Sequence, residues 1–329
     1  MDAGGSILVT GGAGYLGSHV CKALARAGYQ PVAYDNLSTG RLKLVKWGPL
    51  EHGDIADRER LAEVFLRIRP RAVIHLAALV VDAGPDFDPD NYYETNVAGS
   101  VSLLRAMAEA RVASLVYCSA AAVYGVPDTV PVAEDQPLDA ITPYGTSKLM
   151  VERTIPDFAN AHRLSWITLR VFNAIGADAD GEAGECHRPE THLVPSAIEA
   201  AMGEREALRV YGTDYGTEDG TAVRDFVHVS DVAHAHLLAL DRVLEGKHAV
   251  AVNVGTGIGH SVSQVIDAVE RATGRAVPVR ESSPRPGDAP VLIADRRKAA
   301  SLLGWRPRND DLCAAVATAW RWHARSETA

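Results

Sequence analysis

Apolar residues in the first half of the chain fall into short runs that alternate with 3.6-residue patterns. Ser6-Ile7-Leu8-Val9-Thr10 is a short apolar run ending in Gly11-Gly12-Ala13-Gly14-Tyr15-Leu16-Gly17-Ser18. Val20, Leu24 and Ala27 then share one helical side until Gly28 stops the helix. Pro31 to Asn36 is the next strand, and Leu50 to Gly53 a further strand region. Arg71 to Ala78 has the continuous apolar character of a strand buried on both faces, closing on small residues. Asn91 to Ala110 reads as one long helix, Val112 to Ser119 as a strand, 143 to about 162 as a helix, and Trp166 to Phe172 as a strand. This alternation predicts an α/β fold, a doubly wound parallel sheet of Rossmann type. Ligands of such sheets bind beyond the carboxyl ends of the strands, where Gly11, Ala77, Ser119 and the start of the 143–162 helix fall.

After Asn173 the pattern loosens. Residues 176–192 carry glycines and charges with few apolar side chains and read as a loop. Leu193 to Met202 looks helical, Leu208 to Gly212 is a short strand, and Thr213 to Arg224 is rich in glycine and acid. Ser230 to Leu244 reads as a helix capped by Ser230, and Val250 to Val254 as a strand. Ser261 caps a helix running to Thr273. Residues 282–290 form a proline-stiffened loop, and a helical tail follows.

Two places carry chemistry. In the strand–glycine loop–helix–strand unit, Gly11, Gly14 and Gly17 let the backbone approach a pyrophosphate, and the helix N-terminus supplies N–H groups. Asp35 follows Gly17 by 18 residues, where an acid binds ribose hydroxyls and repels a 2′-phosphate, so NAD is expected over NADP. Asp54-Ile55 offers a carboxylate and backbone for adenine, or alternatively Asp54 caps the helix over 57–67. The second place is Thr142-Pro143-Tyr144-Gly145-Thr146-Ser147-Lys148. Thr142 suits a cap and Pro143 a first helical position. Tyr144 and Lys148 are one helical turn apart and share a face. A neighbouring cation favours the phenolate, which is how a tyrosine becomes a proton acceptor. His75, in an apolar strand, reads as a satisfied core histidine.

Composition narrows the class. The 329 residues are 47% hydrophobic and 23% charged, ordinary for a globular enzyme. The net charge of -9, without a basic cluster, argues against a nucleic-acid surface. No apolar run approaches the ~18 residues that span a bilayer, and no basic-then-apolar leader is apparent. Cys21, Cys118, Cys186 and Cys313 are too far apart in sequence for a metal-type pair, so a reduced, cytoplasmic protein is expected.

The glycine loop, the strand-end serine and Tyr-x-x-x-Lys together resemble the extended short-chain dehydrogenase/reductase family. Arg170-Val-Phe-Asn-Ala-Ile-Gly176, Pro189-Glu-Thr-His-Leu-Val-Pro195 and the block Tyr211 to Val229 sharpen this to a resemblance with its UDP-glucose (UDP-galactose) 4-epimerases over nearly the whole chain. The resemblance implies an NAD-binding domain over 1–173 and a nucleotide-sugar lobe over 174–329, with segments around 225–255 returning to the first. It implies reversible oxidation of a UDP-hexose at C4 through a 4-keto sugar. Tyr144 would be the base, and Lys148 would hold the nicotinamide ribose. Beside the glycines, Asp35 and Asp54-Ile55, it places Tyr15, Leu16, Asn36, Leu76, Ala77 and Ala78 at the cofactor. Thr95, Ser119 and Phe172 complete that set. On the sugar-nucleotide side it places Ala120, Asn173, His192, Leu193 and Tyr211, then Arg224, Arg285, Asp288 and Leu292. A homodimer is implied, joined through helices at 91–110 and 146–162. No metal is implied, and His187 and His192 read as substrate-loop residues rather than ligands.

The chain departs from the family pattern at three positions. Ala120 stands where a serine or threonine relays the proton, and an alanine has no hydroxyl. Val80 replaces a common lysine near the cofactor phosphates, with Asp82 close by. Leu292 occupies the position of a tyrosine that excludes N-acetyl groups, so N-acetylhexosamines become candidate substrates. Ala121 and Ala122 lack the acid–base pair that a 4,6-dehydratase needs. The competing readings are chemistry on another nucleotide sugar, such as a uronate or modified sugar, and a non-catalytic NAD and nucleotide-sugar binding protein.

Overall fold

The computed structural model describes residues 4–80, 88–246 and 248–326. Its first strands are β1 (Ser6–Thr10), β2 (Gln30–Asp35), β3 (Leu50–His52), β4 (Ala72–His75) and β5 (Ser114–Ala120). They are followed by β6 (Ser165–Val171), β7 (Asn173–Ile175), β8 (Leu208–Tyr211), β9 (Val223–His228) and β10 (Ala249–Val254). The last strands are β11 (Gly259–Ser261), β12 (Val279–Ser282) and β13 (Val291–Leu292). Between them run the helices α1 (Tyr15–Arg26), α2 (Arg58–Ile68), α3 (Pro89–Tyr92), α4 (Gly99–Glu109) and α5 (Pro143–His162). The remaining helices are α6 (Leu193–Met202), α7 (Val229–Glu245), α8 (Val262–Thr273) and α9 (Leu312–Ser326).

Seven parallel strands form the main sheet in the order β10-β6-β5-β4-β1-β2-β3. The strand order reverses between β1 and β4, which opens a crevice at the carboxyl edge. Alternation along each strand feeds two cores. Ile7, Val9, Ile74 and Val116 face α1 and α7, while Leu8, Val73, Leu115 and Tyr117 face α2, α4 and α5. The expected doubly wound sheet is therefore observed. Strand β10 lies beside β6, and α7 packs on α1, so the chain returns to the main sheet late in its course.

The second lobe has smaller sheets. Strands β11, β9 and β13 form one with β7 added to β9, and β8 pairs with β12. Its core joins Ile175, Val194, Ile198, Phe226, Val265 and Val316. A fourth cluster unites Ala121, Tyr124, Leu149, Phe172 and Leu292 where β5, α5, β6 and β13 meet.

Several local expectations change. The stretch 91–110 is not one regular helix: a π-helical turn over Tyr93–Ala98 separates α3 from α4. Helix α7 starts at Val229 and is capped by His228, whose Nδ1 accepts from the Ser230 N–H at 3.2 Å. Helix α2 is capped by Asp57 rather than Asp54. Asn173 does not end a strand but opens β7. Ser261 caps α8 as expected, through a reciprocal box with Gln264. Among the described residues no helix is long and apolar enough to cross a membrane.

Candidate active site

Tyr144 and Lys148 stand on the first two turns of α5. Thr142 Oγ1 accepts from the Gly145 N–H at 3.0 Å, and Pro143 opens the helix, so its start is fixed locally. Lys148 Nζ lies 5.8 Å from the Tyr144 ring centroid and 5.2 Å from that of Tyr117. It donates to the Cys118 carbonyl at 2.9 Å, tying α5 to the end of β5. Burial pushes the Lys148 pKa down, while Cys118 and Glu152 act in the opposite direction. Tyr144 is half-buried, with Tyr92 edge-on at 6.5 Å between centroids.

The π-helical turn supplies a residue that sequence reasoning missed. Asn96 Nδ2 donates to Ser147 Oγ at 2.9 Å and to the Leu79 carbonyl at 3.1 Å, and its Oδ1 accepts from the Leu79 N–H at 2.7 Å. Ser147 Oγ in turn donates to the Tyr144 carbonyl at 2.7 Å. Asn96 therefore fastens the segment after β4 to the turn that carries Tyr144. The signal was available: Tyr92, Asn96, Gly99, Leu103 and Met107 form one helical stripe, and the asparagine interrupts it.

The glycine loop is closed around its own backbone. Gly11 has φ +71°, and a Cβ there would sit 2.7 Å from the Ala77 nitrogen. A Cβ on Gly17 would sit 1.9 Å from the Gly11 carbonyl oxygen. Gly14 caps α1 without a side-chain bond, and no acid stands in the first turn. Those N–H groups and the positive helix end suit a pyrophosphate. Asp35 is buried and accepts from the Ala13 N–H at 3.0 Å and the Leu37 N–H at 2.8 Å. Each carboxylate oxygen keeps a lone pair for a ribose hydroxyl. Asn36 donates to Asp54 at 2.7 Å, Asp54 also accepts from the Ala56 N–H at 2.8 Å, and Ile55 is buried. Leu16, Leu76, Ala77, Ala78 and Thr95 are half-buried. Tyr15 is turned differently: its hydroxyl donates to the Gly176 carbonyl at 2.6 Å, across to the second lobe.

At the end of β5 the buried Ser119 hydroxyl has no hydrogen-bond partner among the described residues, while its neighbour Ala120 is half-buried. An orphaned hydroxyl, a glycine cradle and an uncapped helix start all fit a dinucleotide. His75 is buried with Thr10 Oγ1 at 2.7 Å and Ser100 Oγ at 2.8 Å. It is a satisfied core histidine, and burial lowers its pKa to about 3.

The second lobe presents the cations. Arg224 is paired with Asp288, and the Arg285 guanidinium lies 4.1 Å over the Tyr211 ring. Leu292 is in register with Arg224 and packs in the junction cluster with Phe172. Asn173 is exposed in β7, opposite Phe226. His192 directly precedes α6, with Leu193 first in the helix. Its Nδ1 lies 2.7 Å from Glu185 and 3.1 Å from Glu190. Sequence reading gave these two glutamates no role. Asp82 lies outside the described residues.

The parallel sheet, the glycine cradle and the Tyr144–Lys148 pair are those of an extended short-chain dehydrogenase/reductase. The model of the NAD dependent epimerase/dehydratase family matches residues 7–255, and the chain belongs to that family. A UDP-glucose 4-epimerase of Rhizobium meliloti (strain 1021) is 48% identical over 320 residues, covering 97% of both chains. The crystal structure of UDP-glucose 4-epimerase from Brucella ovis in complex with NAD superposes with a TM-score of 0.93 at 46% identity, over 96% of this chain and 98% of that one. A UDP-glucose 4-epimerase from Stenotrophomonas maltophila, with bound NAD and formylated UDP-arabinopyranose, gives a TM-score of 0.93 at 40% identity, over 98% of this chain and 99% of that one.

Proposed function

We propose that the chain is an NAD-dependent 4-epimerase of UDP-hexoses, UDP-glucose and UDP-galactose first among them, acting through a transient 4-keto sugar. The observation that carries this reading is Tyr144 held against buried Lys148 beside the glycine cradle, in a chain 48% identical to a protein named for that reaction. Gly11, Gly14, Gly17, Asp35 and Asp54 would hold the dinucleotide, with Leu76, Ala77, Ala78 and Thr95 along its path and Lys148 at the nicotinamide ribose. When bound, NAD⁺ supplies a reversible acceptor for the hydrogen at C4. Tyr144 takes the C4 hydroxyl proton and later returns it, and Lys148 keeps positive charge beside the phenol. Arg224 and Arg285 suit the two phosphates of UDP, since a guanidinium fork matches paired phosphate oxygens. Asp288 orients Arg224, and Tyr211 supports Arg285.

Ala120 offers no hydroxyl, so Tyr144 exchanges the proton with the sugar directly or through water. Leu292 leaves space for N-acetylated sugars. The lobes divide near residue 173, with β10 and α7 belonging to the first. A homodimer through α4 and α5 is part of the reading, supported by Met150 of α5 being 43% exposed. Buried Cys21 and Cys118, both unpaired, suit a reducing cytoplasm.

The test uses purified protein without added cofactor, incubated separately with UDP-galactose, UDP-GalNAc and UDP-galacturonate, with anomeric protons followed by NMR. Conversion of UDP-galactose is expected, with NAD carried in by the protein. No conversion of any of the three, even with NAD⁺ added, sinks the reading. Bound NAD without turnover would favour the binding-protein alternative. Turnover confined to UDP-galacturonate would favour the uronate reading. Ala120→Ser is expected to raise turnover by about tenfold, less than the ~10²–10⁴ of a positioned acid–base group, because Tyr144 already exchanges the proton without it.

A further inference from the structure

The loop between β7 and α6 holds two clusters of ionisable side chains, and they are neutralised differently. In the first, Asp178, Asp180 and Glu182 surround the Lys22 ammonium at 2.7, 2.9 and 2.6 Å. That cluster already has its cation. In the second, Glu185, His187, Glu190 and His192 each offer one ligand atom, and the four atoms lie within 4.8 Å of one another. Among the described residues no lysine or arginine pairs with either glutamate carboxylate.

The second cluster has the composition and spacing of a metal centre. Glu185 Oε1 lies 2.7 Å from His192 Nδ1 and 3.1 Å from His187 Nδ1, and Glu190 Oε1 lies 3.1 Å from His192 Nδ1. Ligand arms of about 2.0–2.1 Å in a tetrahedron set ligand atoms about 3.3 Å apart, so an ion is admitted when the three close pairs open slightly and the wider ones, all within 4.8 Å, draw in. Both glutamates are 6% exposed. Glu190 Oε1 accepts from the Thr191 and His192 N–H groups at 2.8 Å each, yet its buried Oε2 has no hydrogen-bond partner among the described residues. A nine-tenths buried carboxylate with one oxygen orphaned at a His₂Glu₂ cluster lacks a partner that a cation supplies.

We propose that Glu185, His187, Glu190 and His192 form a binding site for one divalent transition-metal ion of the Zn²⁺ class. Two imidazole nitrogens with two carboxylate oxygens select that class over Mg²⁺ or Ca²⁺, which take six or more oxygens. Four protein ligands close the coordination sphere, so the ion is structural. Its place in the fold agrees with this. Trp322 Nε1 of α9 donates to the Glu185 carbonyl at 2.8 Å, and Arg205 donates to the Glu190 carbonyl at 2.8 Å. His192 leads into α6, and Tyr15 of the glycine loop bonds Gly176 at the head of the same loop. The ion would staple the loop that joins the two lobes. The inference does not depend on the reaction proposed above.

The test begins with the full-length protein stripped by a chelator and dialysed. Zn²⁺ is titrated against a chromophoric competitor, and Co²⁺ is added to a second sample for its visible spectrum. The expected result is one equivalent of Zn²⁺ per chain, a tetrahedral Co²⁺ spectrum, and a higher melting temperature with metal. His187→Gln and Glu190→Gln are each expected to weaken Zn²⁺ binding by at least tenfold and to remove the metal-dependent rise in melting temperature. His187 is half-buried at the loop surface, so its variant keeps the protein folded, checked by circular dichroism in chelator. Stripped wild-type protein that takes up no Zn²⁺ at micromolar concentration overturns the proposal. So does one equivalent of Zn²⁺ bound with equal affinity by wild type and by both variants, because the ion would then sit elsewhere.

Discussion

The edge of the seven-stranded sheet and the second lobe meet at the cluster of Ala121, Phe172 and Leu292 but are built to different tolerances. On the sheet edge the two groups that handle the proton are each anchored twice. Lys148 is fixed by its helix and by the Cys118 carbonyl, and the turn bearing Tyr144 by the Thr142 cap and the Asn96–Ser147 chain. In the second lobe, Arg285 and Asp288 stand on a loop between β12 and β13, and β13 has only two residues. Groups that exchange protons need sub-ångström placement, and long ladders supply it. Groups that grip a flexible nucleotide tolerate movement, and short strands suffice. Losing a proton-transfer group should therefore abolish turnover, while losing a gripping group should weaken binding. Tyr144→Phe tests the first half most sharply. It removes only the hydroxyl and should lower kcat by about 10²–10⁴ while NAD still co-purifies. Activity within a fewfold of wild type would mean that the proton goes elsewhere.

Arg224→Ala tests the other half. The side chain is half-buried and paired with Asp288, and its loss frees that carboxylate as well as removing a phosphate contact. Charge-assisted hydrogen bonds contribute about 1.5–3 kcal/mol, so KM for UDP-galactose should rise about 10- to 100-fold. The kcat should change much less. A collapse in kcat with KM unchanged would show that the second lobe also positions the reacting sugar, and the division of labour would fail.

The same contrast explains what could be read from the sequence. The sheet edge was legible because its signals are local: a strand run, three glycines, an acid 18 residues later, a Thr-Pro helix start and one helical turn from Tyr144 to Lys148. Strands β7, β9, β11 and β13 were not read, being two to six residues long and held by pairings distant in sequence. The Arg224–Asp288 pair joins residues 64 apart, and resemblance placed both at the site without placing them together. Asn96 was visible as a polar break in an apolar stripe, but its partners Leu79 and Ser147 exist only in the fold. The Glu185–His192 cluster was missed differently. Its histidines are five residues apart in an aperiodic loop, and nothing local says that two glutamates turn inward with them.

Leu292 lies where the two constructions meet, packed with Phe172 and Tyr124 and in register with Arg224. Leu292→Tyr should reduce use of UDP-GlcNAc by about tenfold relative to UDP-glucose, within the range that one added group in a pocket achieves. The larger ring also overpacks a site that is only 9% exposed, at a cost of about 1–3 kcal/mol in stability. Melting temperature and UDP-glucose turnover must therefore be measured alongside. Unchanged use of UDP-GlcNAc in a folded, active variant would remove Leu292 from the specificity argument.

Acid acts on stability rather than on turnover. His19 in α1, His75 in β4 and His236 in α7 are buried in the sheet lobe, and burial lowers their pKa values to about 4, 3 and 4. In an unfolded chain each titrates near ~6.5. The unfolded state thus binds more protons between those values, so stability is full above about pH 6.5 and falls as the pH drops toward 4. One such group contributes a slope of about 1.4 kcal/mol per pH unit in that window. His19 and His236 each bond a backbone carbonyl through Nδ1 and have no Nε2 partner among the described residues, but charged groups act on His19 and not on His236, so His236 is the simplest of the three to replace. His236→Leu should flatten the dependence by about that slope, read from urea unfolding at about pH 7 and about pH 5. Hydrogen exchange should show the main sheet losing protection in acid before α6 and α8, neither of which carries a histidine. The opposite order would mean that the junction cluster couples the lobes tightly enough to make acid unfolding a single event.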